Sequence, residues 1–432
     1  MRHLLQSFAS TGTIQAINLL TGILVARLLL PEGRGELAIV LLWPNLMLTL
    51  GFLGLDQAVI YHSARKQRSA TAVALAALLP GAGLLLLTAL IGWFLLPWIL
   101  APEHEELIGL SRLFLLVSTP LHLLNNLAMA VLLGRQRVLS WNAVRLIQPS
   151  VYLCGLLLLW SLGAATVGNV LIAFMLAAGA TLLASLPAAW SVLAQERAAA
   201  DKPFAAVLGF AGRAHVESIF QLIARRIDQA LISLFLPASD LGYYVVALAL
   251  AGALEMAAGT VSIVAFPKIS TLSTAEGKKV LLGRYFRFTL AVLAAGAVGL
   301  WLVGEVILVL LFGAAYQESG PLLRILVIAA ALAGLSTCLA YGYKAHDRIG
   351  VINQGALLSA LAAAPAFALL LPRYGLAGAA WATVIVQAVP FCFMLLRLRG
   401  ALGISPLTLV RPTRDDAELL RRYRDTFIER LR

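Results

Sequence analysis

The chain has 432 residues, of which 61% are hydrophobic and only 12% charged, and its mean hydropathy is +0.90. A soluble protein carries about 25% charged residues, and half that density does not cover a water-facing surface; soluble, disordered, collagen-like and disulfide-scaffold classes are excluded. The net charge of +12, from 33 Lys and Arg against 21 Asp and Glu, would suggest nucleic acid on a soluble protein, but in a membrane protein it reports first on sidedness.

Arg2 and His3 precede an apolar run from Phe8. It is too long for a signal-peptide core and flows into more apolar sequence, so it reads as a first membrane helix. A crossing needs about 20 apolar residues. Twelve stretches qualify: 8–30, 37–60, 71–100, 108–133, 143–162, 167–193, 207–236, 241–266, 286–312, 321–345, 349–371 and 376–397. The weakest is 207–236, which holds Arg213, Glu217, Arg225, Arg226 and Asp228. It is kept because dropping it would scatter Lys and Arg over both sides of the membrane. With it, and with the N-terminus in the cytoplasm, 24 of the 33 Lys and Arg fall on the inner side and only Arg34 and Arg373 in outer loops. That asymmetry places both termini in the cytoplasm, and it assigns the positive charge to topology and anionic lipid, not nucleic acid. The cysteines Cys154, Cys338 and Cys392 all lie in apolar runs without metal-ligand spacing, so they read as free, buried, small hydrophobes and no metal site is expected.

The twelve stretches fall into two related halves. Residues 28–37, LLLPEGRGEL, resemble 234–243, LFLPASDLGY; 134–142, GRQRVLSWN, resemble 345–353, AHDRIGVIN. Six helices per half make this a parallel repeat about an axis along the membrane normal. The expected fold is therefore an all-α polytopic membrane protein of two six-helix lobes. The lobes are 1–193 and 207–397, joined by a cytoplasmic linker at 194–206. In the tail, 398–432, Leu419, Leu420, Tyr423, Phe427, Ile428 and Leu431 line one face among arginines. This predicts a basic amphipathic helix on the lipid surface, with docking of a partner enzyme as the alternative.

Polar side chains inside the bilayer mark candidate sites, because a central charge costs about 2.5–3.5 kcal/mol. Glu217, Gln221, Arg225 and Asp228 share one face of helix 7, with Arg226 at its edge; in helix 1 the matching face carries Thr11, Gln15 and Asn18. Asn45, Asp56, His122, Asn125, Asn126, Glu255 and Tyr341 are further candidates for a shared polar cavity. Pairing of Arg225 or Arg226 with Asp228, or of Arg225 with Glu217, is the competing structural explanation. Asp56 and Arg27 lie near helix ends, where snorkelling competes.

Three segments, ARLLLPEGRGELAIV (26–40), RRIDQALISLFLPASDLGYYVVALALA (225–251) and FPKIS (266–270), resemble the polysaccharide-biosynthesis flippases. These are the Wzx-type members of the multidrug/oligosaccharidyl-lipid/polysaccharide exporter superfamily. The resemblance covers residues from about 5 to 400. It implies a V-shaped bundle of two lobes and alternating access coupled to an H⁺ or Na⁺ gradient. It implies a polyprenyl-diphosphate-linked oligosaccharide as cargo, polysaccharide assembly enzymes as candidate partners and the bacterial inner membrane as location. Seven Arg against five acids within the spans suit a diphosphate, because guanidinium pairs with phosphate oxygens. The candidate substrate-binding residues are thus Arg225, Arg226, Arg27, Gln15, Asn18 and Gln221, and the candidate ion-coupling residues Asp228, Glu217, Glu255 and Asp56. The rivals are a drug or cation antiporter and a lipid II flippase of the same architecture. A membrane polymerase or ligase is disfavoured, because the short outer loops hold no nucleophile beside a base.

Overall fold

The computed structural model describes residues 2–52, 54–65, 69–100, 104–195 and 203–411, with the backbone alone at 2–9, 213–214, 216–221, 223–224 and 275. The amphipathic helix expected in the tail and most of the linker lie outside these residues. The described elements are helical throughout. They are α1 (Arg2–Phe52), α2 (Leu55–Ala64), α3 (Ala70–Leu100), α4 (Leu107–Gly134), α5 (Val138–Ser161) and α6 (Val167–Leu193). There follow α7 (Phe204–Phe235), α8 (Ala238–Ser270), α9 (Ala275–Phe312), a 3₁₀ turn (Ala314–Tyr316), α10 (Ser319–Ala345), α11 (Ile349–Leu402) and α12 (Pro406–Val410).

Nine of the described helices are long and apolar enough to cross a membrane, so this is a multi-pass membrane protein. Two of the nine are broken. Helix α1 leaves helical geometry at Leu30 (φ 59°, ψ 178°) and α11 at Gly375 (φ 54°, ψ −133°). Leu30 precedes Pro31, whose ring bars the helical region to the residue before it. The left-handed φ of a leucine is a strained solution, costing about 1–3 kcal/mol. Helix 7 forms unbroken over Phe204–Phe235 but is not among the nine, as its charge content anticipates. The stretch expected as one helix over 37–60 is divided. It stops at Phe52, turns at Gly54 (φ 66°) and resumes as α2, with Asp56 in the first turn, where a carboxylate meets the positive end of the helix dipole.

By packing, the chain forms two compact units: Met1–Val246 with Leu308–Glu318, and Ala247–Ile307 with Ser319–Arg432. The expected lobes rest on the internal repeat, these units on contacts, and the first unit runs past the linker through α7. Within it the two matched repeat segments pack on each other reciprocally. A Cβ on Gly35 would collide with the Ala238 carbonyl, and one on Gly242 with the Pro31 carbonyl. Only glycine permits this backbone approach. In the second unit α10 is the buried centre. Gly334 is set against Ala258 and Leu293, and Gly342 against Leu282.

Outward faces are apolar, as lipid requires. Trp98 is 85% exposed, and Leu183 and Leu396 are nearly as bare. Cys338 is buried, with the Thr289 hydroxyl 3.8 Å from its sulfur, whereas Cys154 and Cys392 are exposed, contrary to expectation; all three are free. Lipid is as apolar as a core, so residue type alone does not separate the two surroundings. Three tyrosines are fully buried, and each donates its hydroxyl: Tyr244 to Asp228 Oδ2 (2.9 Å), Tyr316 to the Ala26 carbonyl (3.0 Å) and Tyr343 to the Met394 carbonyl (2.6 Å). Burial pushes the Tyr316 hydroxyl up in pKa, against the pull of nearby Arg34, so it remains a donor at neutral pH.

Candidate functional site

The helix 7 stripe is described at its C-terminal half. Asp228 is buried; its Oδ1 accepts the Gln229 backbone N–H (2.8 Å) and its Oδ2 the Tyr244 hydroxyl. Arg225 and Arg226 are exposed, and Arg226 Nη1 donates to Gln229 Oε1 (3.1 Å). No ion pair joins Asp228 to either arginine among the described residues, so the closed pair that competed with a functional stripe is not formed there. The side chains of Glu217 and Gln221 lie outside the described set. Glu255 is half-buried on α8 in the second unit, Asp56 half-buried at the start of α2, and Gln15 exposed on α1.

Arg27 is engaged at the end of a helix. Its Nε donates to the Leu311 carbonyl (2.7 Å) and its Nη2 to the Leu310 carbonyl (2.5 Å). These are orphan acceptors of the last turn of α9, the negative end of its dipole. Arg27→Gln is expected to lower thermal stability by roughly 1–2 kcal/mol through this contact. Melting of the purified protein with and without the substitution checks it; an unchanged melting temperature would show the contact contributes nothing.

A cavity of about 560 Å³ opens within the first unit between α1, α4, α5 and α6. Five amides line it: Asn18 and Asn45 from α1, Asn125 and Asn126 from α4, and Gln148 from α5. Ser118, Tyr152 and Thr181 add hydroxyls, and Arg145 and His122 add ionisable side chains; no Asp or Glu lines it among the described residues. The sequence-based candidates Asn18, Asn45, His122, Asn125 and Asn126 are thus brought together, while Asp56 and Gln15 are not among the lining. Asn125 is fixed on both sides, donating to the Ala178 carbonyl (3.2 Å) and accepting from Ser185 (2.9 Å). His122 packs edge-on against Phe52 at 5.3 Å between ring centroids.

Sequence reasoning counted Arg145 among the intramembrane arginines but gave it no role, and it passed over Gln148 and Tyr152. Positions 145, 148 and 152 recur at helical spacing, so one face of α5 carried the signal. Arg145 differs from three other arginines within helices. Arg27 is held by α9 carbonyls, Arg112 donates to the Trp93 carbonyl (3.1 and 3.0 Å), and Arg324 pairs with Glu305 (3.2 Å). Arg145 stacks on the Trp141 ring, 4.2 Å from its centroid, and makes no hydrogen bond or ion pair among the described residues. An unspent guanidinium in a cavity without acids among the described residues favours an anion over a cation.

The family model described as "Polysaccharide biosynthesis protein" matches residues 24–321. No curated protein is matched. Among solved structures, the lipid II flippase MurJ in an inward closed conformation is similar over 94% of this chain and 88% of its own, with a TM-score of 0.78 at 15% identity. An inward-facing multidrug-resistance MATE transporter of the MOP superfamily is similar over 90% and 94%, with a TM-score of 0.71 at 16% identity. The MATE transporter VcmN of Vibrio cholerae gives 0.62 at 16% identity, over 94% and 98%. At such identities these likenesses speak for the fold. The chain belongs to the polysaccharide biosynthesis protein family, and it has the fold shared by MOP-superfamily transporters.

Proposed function

We propose that this protein moves a polyprenyl-diphosphate-linked oligosaccharide, the repeat unit of a cell-surface polysaccharide, from the inner to the outer leaflet of the bacterial inner membrane. Transport runs by alternating access coupled to H⁺ or Na⁺, on twelve crossings with both termini in the cytoplasm. The observation that carries this reading is the cavity of the first unit, rich in amides and hydroxyls, with one unspent arginine and, among the described residues, no carboxylate in its lining. Amides both donate and accept, which suits sugar hydroxyls. A drug-cation antiporter is disfavoured by the same lining. The lipid II flippase reading keeps one supporting observation, the TM-score of 0.78 to MurJ.

Arg225 and Arg226, exposed on helix 7, receive the diphosphate as cargo enters, with Gln15, Asn18 and Gln221 along the path. Arg27 reaches the cargo only if it leaves the α9 carbonyls. Asp228, with Glu217, Glu255 and Asp56 as the other candidates, changes proton or ion occupancy during the switch. Deletion of the gene is expected to accumulate a lipid-linked oligosaccharide on the cytoplasmic face, and plasmid-borne protein to clear it. Extraction and mass spectrometry of the lipid pool identify the species. Wild-type levels of every lipid-linked glycan in the deletion strain would overturn the proposal.

A further inference from the structure

The cavity of the first unit combines the two kinds of group a sugar ring needs. A pyranose offers C–H faces and a rim of hydroxyls. Tyr152 and Phe174, both half-buried, supply aromatic surface for the faces, with Tyr152 set edge-on to Phe174 at 5.3 Å between centroids. The amides supply the rim, and they are not consumed by the fold. Asn18 and Gln148 make no side-chain hydrogen bond among the described residues. Asn45 and Asn126 each spend one N–H on their own helix, at the Leu41 carbonyl (2.6 Å) and the His122 carbonyl (2.7 Å). Each retains a second N–H and its amide oxygen. Arg145 is three residues from Gln148, one turn along the same face of α5. Its plane is held by Trp141, which fixes the direction of its donors without using them.

We propose that this cavity is a glycan seat within the first unit. Sugar faces rest on Tyr152 and Phe174, hydroxyls bond to Asn18, Asn45, Asn126 and Gln148, and an adjoining oxyanion is gripped by Arg145. The oxyanion is a phosphate of the lipid diphosphate or a carboxylate on an acidic sugar; both offer paired oxygens to a guanidinium. The inference rests on the reading of the protein as a flippase for lipid-linked glycans, and it makes Arg145 and Gln148 specificity-determining residues.

The test uses the full-length protein in lipid nanodiscs and three probes: a short-chain prenyl diphosphate carrying a neutral disaccharide, the same prenyl diphosphate without sugar, and a uronate-containing disaccharide without lipid. Binding is read by quenching of tryptophan fluorescence, and independently by protection of Asn126→Cys from a maleimide. Wild type is expected to bind the first probe more tightly than the second. Arg145→Gln is expected to weaken oxyanion binding about ten- to a hundredfold, the loss expected for a charge-assisted contact, with Arg145→Lys in between. Gln148→Leu is expected to weaken the sugar-bearing probes alone. A loss in Arg145→Gln confined to the diphosphate probes assigns the oxyanion to the lipid, and one confined to the uronate assigns it to the sugar. Failure of the wild type to bind any probe would overturn the lipid-glycan reading itself. Wild-type binding that survives unchanged in both Arg145→Gln and Gln148→Leu would overturn the seat alone. So would equal labelling of Asn126→Cys with and without a probe that binds, a readout that keeps Arg145 in place if its variants do not fold.

Discussion

Gly35→Val is expected to remove most folded protein from the membrane. The segment after Pro31 and the start of α8 meet backbone to backbone, Gly35 on the Ala238 carbonyl and Gly242 on the Pro31 carbonyl. A side chain at either glycine meets an obstacle that cannot rotate away, so the helices themselves must part. Overpacking costs about 1–3 kcal/mol where side chains adjust, and more where backbone must move. Against a total stability of about 5–15 kcal/mol, that is a large fraction. Gly242→Val is expected to behave alike. Gly12→Ala and Gly22→Ala, which face open space, serve as controls and should leave yield unchanged. Size-exclusion chromatography of fluorescently tagged protein measures all four; a Gly35→Val protein with wild-type yield and peak shape would show that the close approach does not exist.

Asp228→Asn is expected to yield a folded protein whose glycan export falls at least roughly tenfold, since intramembrane carboxylates that carry coupling act through their charge. The amide keeps an acceptor for the Tyr244 hydroxyl, so packing survives. Asp228→Ala deletes the charged acceptor of the Tyr244 hydroxyl bond, costing about 1–3 kcal/mol of stability in addition. Tyr244→Phe separates the two effects, because it deletes the donor with its need. Export of labelled glycan to the outer face, normalised to protein in the membrane, distinguishes them. An Asp228→Asn protein that exports at the wild-type rate would remove this residue from ion coupling.

Much of the architecture was legible because bilayer thickness and proline chemistry act on local sequence. The break at Leu30 falls where Pro31 had already ended the first apolar run, and the break at Gly375 lies in the expected loop between 371 and 376. The break at Phe52–Gly54 was not legible, since a glycine in an apolar run is ordinary in membrane helices. For the site, residue type showed which side chains are costly but not what answers them. Arg27 is held by carbonyls of residues 310 and 311, nearly three hundred positions away and invisible to any side-chain pattern. Arg145 has no such acceptor, and only the fold shows that difference. Asn125 looked like a cavity group and is spent on Ala178 and Ser185, whereas Gln148 drew no notice and is unspent.

The strained bend of the first helix has a mechanical consequence. Arg27 grips the last turn of α9, and the Ala26 carbonyl holds Tyr316 just beyond it, both within one turn of Leu30. The only sharp pivot in α1 is therefore tied at two points to the far end of a 38-residue helix. Rotation about Leu30 cannot relax that residue alone: it either carries the tip of α9 with it or breaks three hydrogen bonds at once.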